Sequence, residues 1–138
     1  MAIKFHPYLS FNGQCDAAFR LYEKCLRGKI TFIQKYGESP MAEQIPAEFR
    51  GRIMHATLTV GDQVLQGADV LPEQYQKPQG MTIALATNDA AEAERVFAAL
   101  AENGLVQMPL TETFWALRFG MVTDQFGTPW LINCEKAA

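Results

Sequence analysis

The side chains of this 138-residue chain that could do chemistry are few: two histidines, three cysteines and an arginine set among aromatic residues. His6 and His55 could carry a proton near neutral pH or bind a metal through a ring nitrogen. Arg118 could hold an anion, or simply pair with Glu112 or Asp124. Cys15, Cys25 and Cys134 form an odd set without a C-x-x-C spacing, so neither a disulfide framework nor a zinc knuckle follows from them. With no activating base nearby, their expected state is reduced and buried, as small hydrophobes.

Placing these groups requires the elements that carry them. Phe5 to Phe11 alternates apolar with polar residues, the period of a half-buried strand, until Asn12-Gly13. Ala18, Leu21, Tyr22, Cys25 and Leu26 then form the apolar stripe of an amphipathic helix, closed by Gly28 where a left-handed residue is wanted. Met81 to Thr87 reads as another strand, and Asp89 with Glu92 as a capping-box-like helix start. Ala93, Val96, Phe97, Leu100 and Ala101 repeat the five-position stripe, and Gly104 closes it. The stripes lie 75 positions apart, from Ala18 to Ala93, and the glycines 76 apart, from Gly28 to Gly104. Two strand–helix–glycine units in matching register indicate an internal duplication.

Three strand-like runs follow each helix: Lys29 to Tyr36, Arg52 to Val60 and Gln63 to Val70; then Val106 to Met108, Phe114 to Val122 and Thr128 to Cys134. The plan is βαβββ twice, an α+β architecture with helices on one face of curved sheet. The connector from Gly37 to Gly51, with Pro40 and Pro46, reads as a long loop suited to a lid or dimer arm.

Alternation along the strands sorts the candidate residues by face. Met54, Ala56, Leu58 and Val60 claim the helix side, leaving His55, Thr57 and Thr59 for the concave side. The same parity aims His6, Tyr8 and Ser10, then Thr82 and Ala84, then Ala116, Arg118 and Gly120, at the concavity. A surface of His, Tyr, Thr and Arg makes a mixed-polarity pocket for a small ligand. His55 is either a satisfied structural histidine or the acid/base group. The Phe114-Trp115 pair is either core or pocket wall.

The totals restrict the alternatives. Hydrophobic residues make up 49% and charged residues 20%, an ordinary globular balance for a single domain. The net charge is −3 and the twelve Lys and Arg are scattered, which argues against nucleic acid as a partner. No apolar run is long enough for a membrane span, and no secretory h-region opens the chain, so a cytoplasmic location is expected.

Several stretches carry a family likeness: Pro7-Tyr8-Leu9-Ser10-Phe11-Asn12-Gly13, Ala18-Phe19-Arg20-Leu21-Tyr22, Ile53-Met54-His55-Ala56 and Gly80 to Asn88. The most specific are Met108 to Trp115 and Val122-Thr123-Asp124-Gln125-Phe126-Gly127-Thr128-Pro129-Trp130-Leu131-Ile132-Asn133. With the duplicated βαβββ plan, these identify the chain as resembling the PhnB-like branch of the vicinal oxygen chelate superfamily, which includes glyoxalase I, extradiol dioxygenases and bleomycin-resistance proteins. Ala116 departs from the glycine usual after the Phe-Trp pair, and Leu26-Arg27-Gly28 from the usual Phe-Gly-Gly. The resemblance implies one domain over residues 1–138, with modules of about 3–72 and 80–135 forming a curved open-barrel sheet, helices on its convex face, in a homodimer.

Metal-using members draw one ligand from the first and last strand of each module, which places His6, Gln66, Thr82 and Leu131 at those positions. Only His6 is a strong ligand and Leu131 has no donor, so no metal and no other cofactor is expected. An unorthodox His6–His55 pair would still lack a carboxylate unless Glu112 or Asp69 turned inward. The branch is often labelled demethylubiquinone methyltransferase, yet this chain has no G-x-G loop and is short for a doubly wound methyltransferase fold. The expected function is therefore binding of a small organic molecule by His6, Tyr8, His55, Thr57, Gln66, Thr82, Trp115 and Arg118. The alternative is an enzyme with His55 as acid/base and Arg118 anchoring an anionic or carbonyl substrate. A pure interaction module is the third reading.

Overall fold

The computed structural model describes residues 2–136. The chain forms two compact units, divided between Gln76 and Lys77. The first contains strands β1 (Tyr8–Phe11), β2 (Lys29–Lys35), β3 (Ile53–Val60) and β4 (Gln63–Asp69), with helix α1 (Cys15–Leu26) after β1. The second repeats the order with β5 (Ile83–Thr87), α2 (Ala90–Ala101), β6 (Leu105–Thr111), β7 (Ala116–Thr123) and β8 (Pro129–Glu135). The sheets run β1-β4-β3-β2 and β5-β8-β7-β6, each with one parallel pair, β1·β4 or β5·β8. The architecture is α+β, two βαβββ modules with a helix on one face of each mixed sheet.

The helical stripes bury as their spacing requires. Ala18, Tyr22 and Cys25 of α1, joined by Phe19, are sealed against β3, as are Ala93, Val96, Phe97 and Leu100 of α2 against β7. The two glycines act differently from the expectation. The left-handed residues are Arg27, at φ 55°, and Asn103, at φ 59°. Gly28 and Gly104 are instead required by contact, because a Cβ would meet the Thr59 carbonyl oxygen at 2.7 Å and that of Thr123 at 2.5 Å. Both helices thus end against the last turn of the facing strand, β3 or β7, at a distance that only glycine permits.

The first strand is shorter than its alternation suggests. Pro7 has no N–H to give a neighbour, and β1 begins at Tyr8 with His6 exposed outside it. β6 is longer than expected, because it is an edge strand whose Leu105, Val106 and Met108 are exposed and whose pairing slips around Pro109, which blurs the alternation. The connector before β3 is no open loop. It folds into three 3₁₀ turns, and Phe49 is buried against Tyr36, ring centroids 4.8 Å apart.

One buried carboxylate ties the first unit together. Asp69 is 1% exposed; its Oδ1 accepts from the N–H of Gly13 at 2.9 Å and of Cys15 at 3.1 Å, and its Oδ2 from Ile53 at 2.9 Å. Gln14 supplies no side-chain cap to α1, so a residue of β4 caps that helix from across the sheet. The Tyr36 hydroxyl donates to the Asp69 carbonyl at 2.7 Å, joining the connector to the same point. In the second unit α2 is capped locally, Asp89 accepting from Ala91 and Glu92. Glu92, in the first turn of α2, pairs with Arg95. Among the described residues no helix is long and apolar enough to cross a membrane.

Two outcomes follow. Asp69→Ala should cost about 3 kcal/mol or more in urea unfolding, because three backbone N–H groups, two of them buried, lose a charged acceptor, while Asp69→Asn retains part of that. Alkali should also weaken the fold from its ordinary thiol range upward. Burial first, then Asp69 and Asp16, push the Cys15 thiol well above its ordinary value of 9.0. Burial and neighbouring acidic groups likewise raise Tyr8 and Tyr36. The folded state holds these protons where the unfolded chain has released them, so their stabilisation is full below the unfolded values and is lost as pH rises toward the folded ones. A melting-temperature series from pH 7 to 11 should fall above about pH 9, and Cys15→Ala should flatten its first part.

Candidate functional site

On sheet 1 the helix-free face carries the expected polar set. Ala56 and Leu58 are fully buried on the α1 side, and a Cβ on Gly67 would strike the Phe19 ring at 2.8 Å. The alternate residues of β3, His55 and Thr57, therefore point the other way, and pairing brings Gln66 opposite Thr57 and beside Tyr8. The result is one chain of hydrogen bonds. His6 Nε2 lies 2.8 Å from Gln66 Oε1, Gln66 Nε2 donates to Thr57 Oγ1 at 3.3 Å, and Thr57 Oγ1 meets His55 Nε2 at 3.2 Å. His55 Nδ1 closes the series on the Tyr8 hydroxyl at 3.4 Å. Phe32 borders it, its ring centroid 5.8 Å from that of His55, and Tyr8 stacks at 5.9 Å. Five of the eight anticipated residues thus meet on one surface.

The second unit breaks the expected parity. Arg118 and Gly120 lie on the α2 side of β7: Arg118 Nε donates to Glu94 of α2 at 2.9 Å, and a Cβ on Gly120 would meet Phe97 at 2.9 Å. The helix-free face belongs instead to Phe119, Met121 and Thr123, opposite Asn133, Leu131 and Pro129. The small and charged residues Ala116, Arg118 and Gly120 made the helix side look like the polar one. Gly120 is there because Phe97 fills its place. Trp115 is half-exposed and meets Phe119 edge-on at 5.3 Å, while Phe114 is 89% exposed and so is not core. Thr82 stands just before β5, at the margin of a groove of about 740 Å³ that Lys77, Gln107, Met121 and Thr123 also line.

Two features had no sequence signal strong enough to single them out. Asn133 Oδ1 is buried without a hydrogen-bond partner among the described residues, an acceptor aimed from β8 that one more donor would satisfy. Asp124 is a buried carboxylate like Asp69, accepting from the N–H groups of Phe126 and Thr128 and from Trp130 Nε1 at 2.8 Å, so it serves the β7–β8 turn.

The superfamily's metal does not fit the donors present. The first unit offers His6 and Gln66, already bonded to each other. Thr82 brings a neutral hydroxyl, and Leu131 brings hydrocarbon. The carboxylates that might have completed a His6–His55 pair are engaged elsewhere: Asp69 with three backbone N–H groups, Glu112 with Lys136 at 3.6 Å. Among the described residues no three His, Cys, Asp or Glu side chains cluster as a metal site.

Known proteins match along nearly the whole chain. Residues 3–133 match the family described as 3-demethylubiquinone-9 3-methyltransferase. Protein YjdN of Escherichia coli K12 is 36% identical over 138 residues, covering 94% of each chain. The crystal structure of protein PA1353 from Pseudomonas aeruginosa is 45% identical, with a TM-score of 0.90 over 99% of this chain and all of that one. A PhnB protein from Bacillus cereus, 24% identical, shares the fold with a TM-score of 0.80 over 96% of this chain and 99% of its own. The chain belongs to the PhnB-like family that carries this methyltransferase description.

Proposed function

We propose that this chain binds a small organic molecule against the helix-free face of its first sheet, as a cytoplasmic homodimer and without the divalent metal usual in the superfamily. The observation that carries the reading is the continuous hydrogen-bonded series from His6 through Gln66, Thr57 and His55 to Tyr8, bordered by Phe32. Polar side chains that bond to one another on an open sheet face are held in fixed directions, which is what a ligand anchor needs. The flanking aromatic rings supply an apolar wall for the rest of the molecule.

The enzyme alternative keeps one of its two parts. His55 has a hydroxyl on each ring nitrogen, the surroundings of a group that passes protons. Arg118, its intended anion anchor, is neutralised by Glu94 on the opposite face of its own sheet, so an anionic substrate is not favoured. Methyl transfer from a nucleotide-like donor is not favoured either. Each sheet here has one parallel pair among four strands, whereas the phosphate-binding methyltransferase fold is a doubly wound parallel sheet.

Native mass spectrometry of protein purified without a tag tests binding and assembly together. The expected spectrum is a two-chain species with a retained small mass, which the double variant His55→Ala/Thr57→Val releases; a bare single chain in every preparation would overturn the proposal. Elemental analysis of the same material should find Zn, Ni, Fe and Mn far below one per chain. Stoichiometric metal that disappears in His6→Ala would reverse the metal-free reading.

A further inference from the structure

The hydrogen count of the His55 cluster narrows the ligand. Gln66 Oε1 has no hydrogen, so His6 Nε2 must donate to it, and this orients the amide with its Nε2 donating to Thr57. One Thr57 lone pair is thereby filled. Three hydrogens remain for two contacts: one on the neutral His55 ring, one on Thr57 and one on Tyr8. If the ring proton sits on Nε2, it fills the second lone pair of Thr57, and the Tyr8 hydroxyl donates to Nδ1. The Thr57 hydrogen is then free and Tyr8 offers only lone pairs. If the proton sits on Nδ1, it goes to the Tyr8 oxygen and Thr57 donates to Nε2. The Tyr8 hydrogen is then free and Thr57 keeps one open lone pair.

In either tautomer one hydroxyl is a free donor while the other offers an acceptor, and the ring exchanges their roles. Burial, with the Cys15 thiol adding to it, raises Tyr8 above its ordinary value, so its hydroxyl keeps its hydrogen, and the count is that of the neutral His55 ring. His6 is a positioning residue in this scheme, because its bond to Gln66 sets which way the amide feeds the series. No lysine, arginine, aspartate or glutamate belongs to the series, and the cluster is bordered by the rings of Phe32 and Tyr8.

We infer that Thr57 and Tyr8 form a donor–acceptor pair coupled through His55, and that the site takes a neutral molecule whose head group carries a carbonyl and an N–H or O–H together, such as a carboxamide, on an aromatic or apolar body. The inference rests on the binding reading above and deepens it. A head group with only an acceptor leaves one hydroxyl's lone pair unanswered; an anion finds no lysine or arginine in the series.

Benzamide and acetophenone test this, since they are nearly isosteric and differ in replacing NH₂ by CH₃. Titrated into the intact protein and followed by backbone and histidine-ring NMR, benzamide should bind roughly tenfold more tightly, the worth of about one hydrogen bond. Its addition should shift the His55 ring nitrogens. Thr57→Val and Tyr8→Phe, both close in shape to the parent residues, should each bring benzamide down to the level of acetophenone, while Thr57→Ser keeps the preference. Equal binding of the two probes by the parent protein would overturn the inference, as would a preference that survives both variants. Failure of benzamide to bind, in protein that still retains a small mass in native spectra, would overturn the head-group class and leave the binding reading standing. Loss of both would remove the two together.

Discussion

Three backbone N–H groups from two distant parts of the chain converge on the Asp69 carboxylate, and the site's geometry depends on that convergence. Gly13 and Cys15 fix where α1 leaves β1; Ile53 fixes where β3 begins. Those two choices set the facing of Tyr8 at one end and of His55 and Thr57 at the other, because a strand started one residue later would turn each of its side chains to the opposite face. The carboxylate is satisfied inside the helix-packed layer, so it holds the site without belonging to it. Burial first, and the adjacent Asp69 carboxylate after it, raise the Cys15 thiol, which therefore keeps its proton and stays inert as a nucleophile.

The duplication was legible because helix stripes and closing glycines are local and periodic, and both modules keep them. Ala18 with Ala93, and Gly28 with Gly104, lie in matching positions, so two weak patterns became one strong one. The glycines were read correctly in place and wrongly in cause, since a sequence does not reveal that a carbonyl from β3 or β7 comes within contact distance of the missing Cβ. Facing was legible on β3, where the apolar parity Ala56 and Leu58 is the buried one. It misled on β7, where the buried parity holds Gly120 and a salt-bridged Arg118 while Phe119 and Met121 take the open side. Counting apolar residues fails wherever a large ring on the helix occupies the volume of a side chain on the strand. The capping role of Asp69 had no signal for a related reason: a carboxylate that caps a helix 54 positions away leaves no local spacing to read.

Two copies of one plan have therefore diverged in their open faces. At positions matched by strand register, Thr57 and Gln66 of the first sheet correspond to Met121 and Leu131 of the second. His55 corresponds in the same way to Phe119. The helix sides kept a shared task, closing α1 or α2 on its sheet, and the open sides did not. A requirement of folding alone would bear equally on both modules. The first open face carries a polar, internally bonded series, and the second carries Phe119, Met121 and Leu131 with only Thr123 and Asn133 polar among the residues of that face paired across β7 and β8.

The same contrast bears on the metal. In a symmetric site each module contributes a donor from its first and last strand, so losing either module's pair leaves half a coordination sphere. Here the second module presents Leu131 and Thr82, and the first presents His6 and Gln66, which answer one another at 2.8 Å. A histidine that donates Nε2–H to an amide oxygen has its lone pair on Nδ1 and would have to give up that bond to ligate through Nε2. What the first module does with the position is different in kind. The amide becomes the start of a series of hydrogen bonds that ends at two hydroxyls on either side of an imidazole, so the position is filled by a bonded polar network of the chain's own side chains.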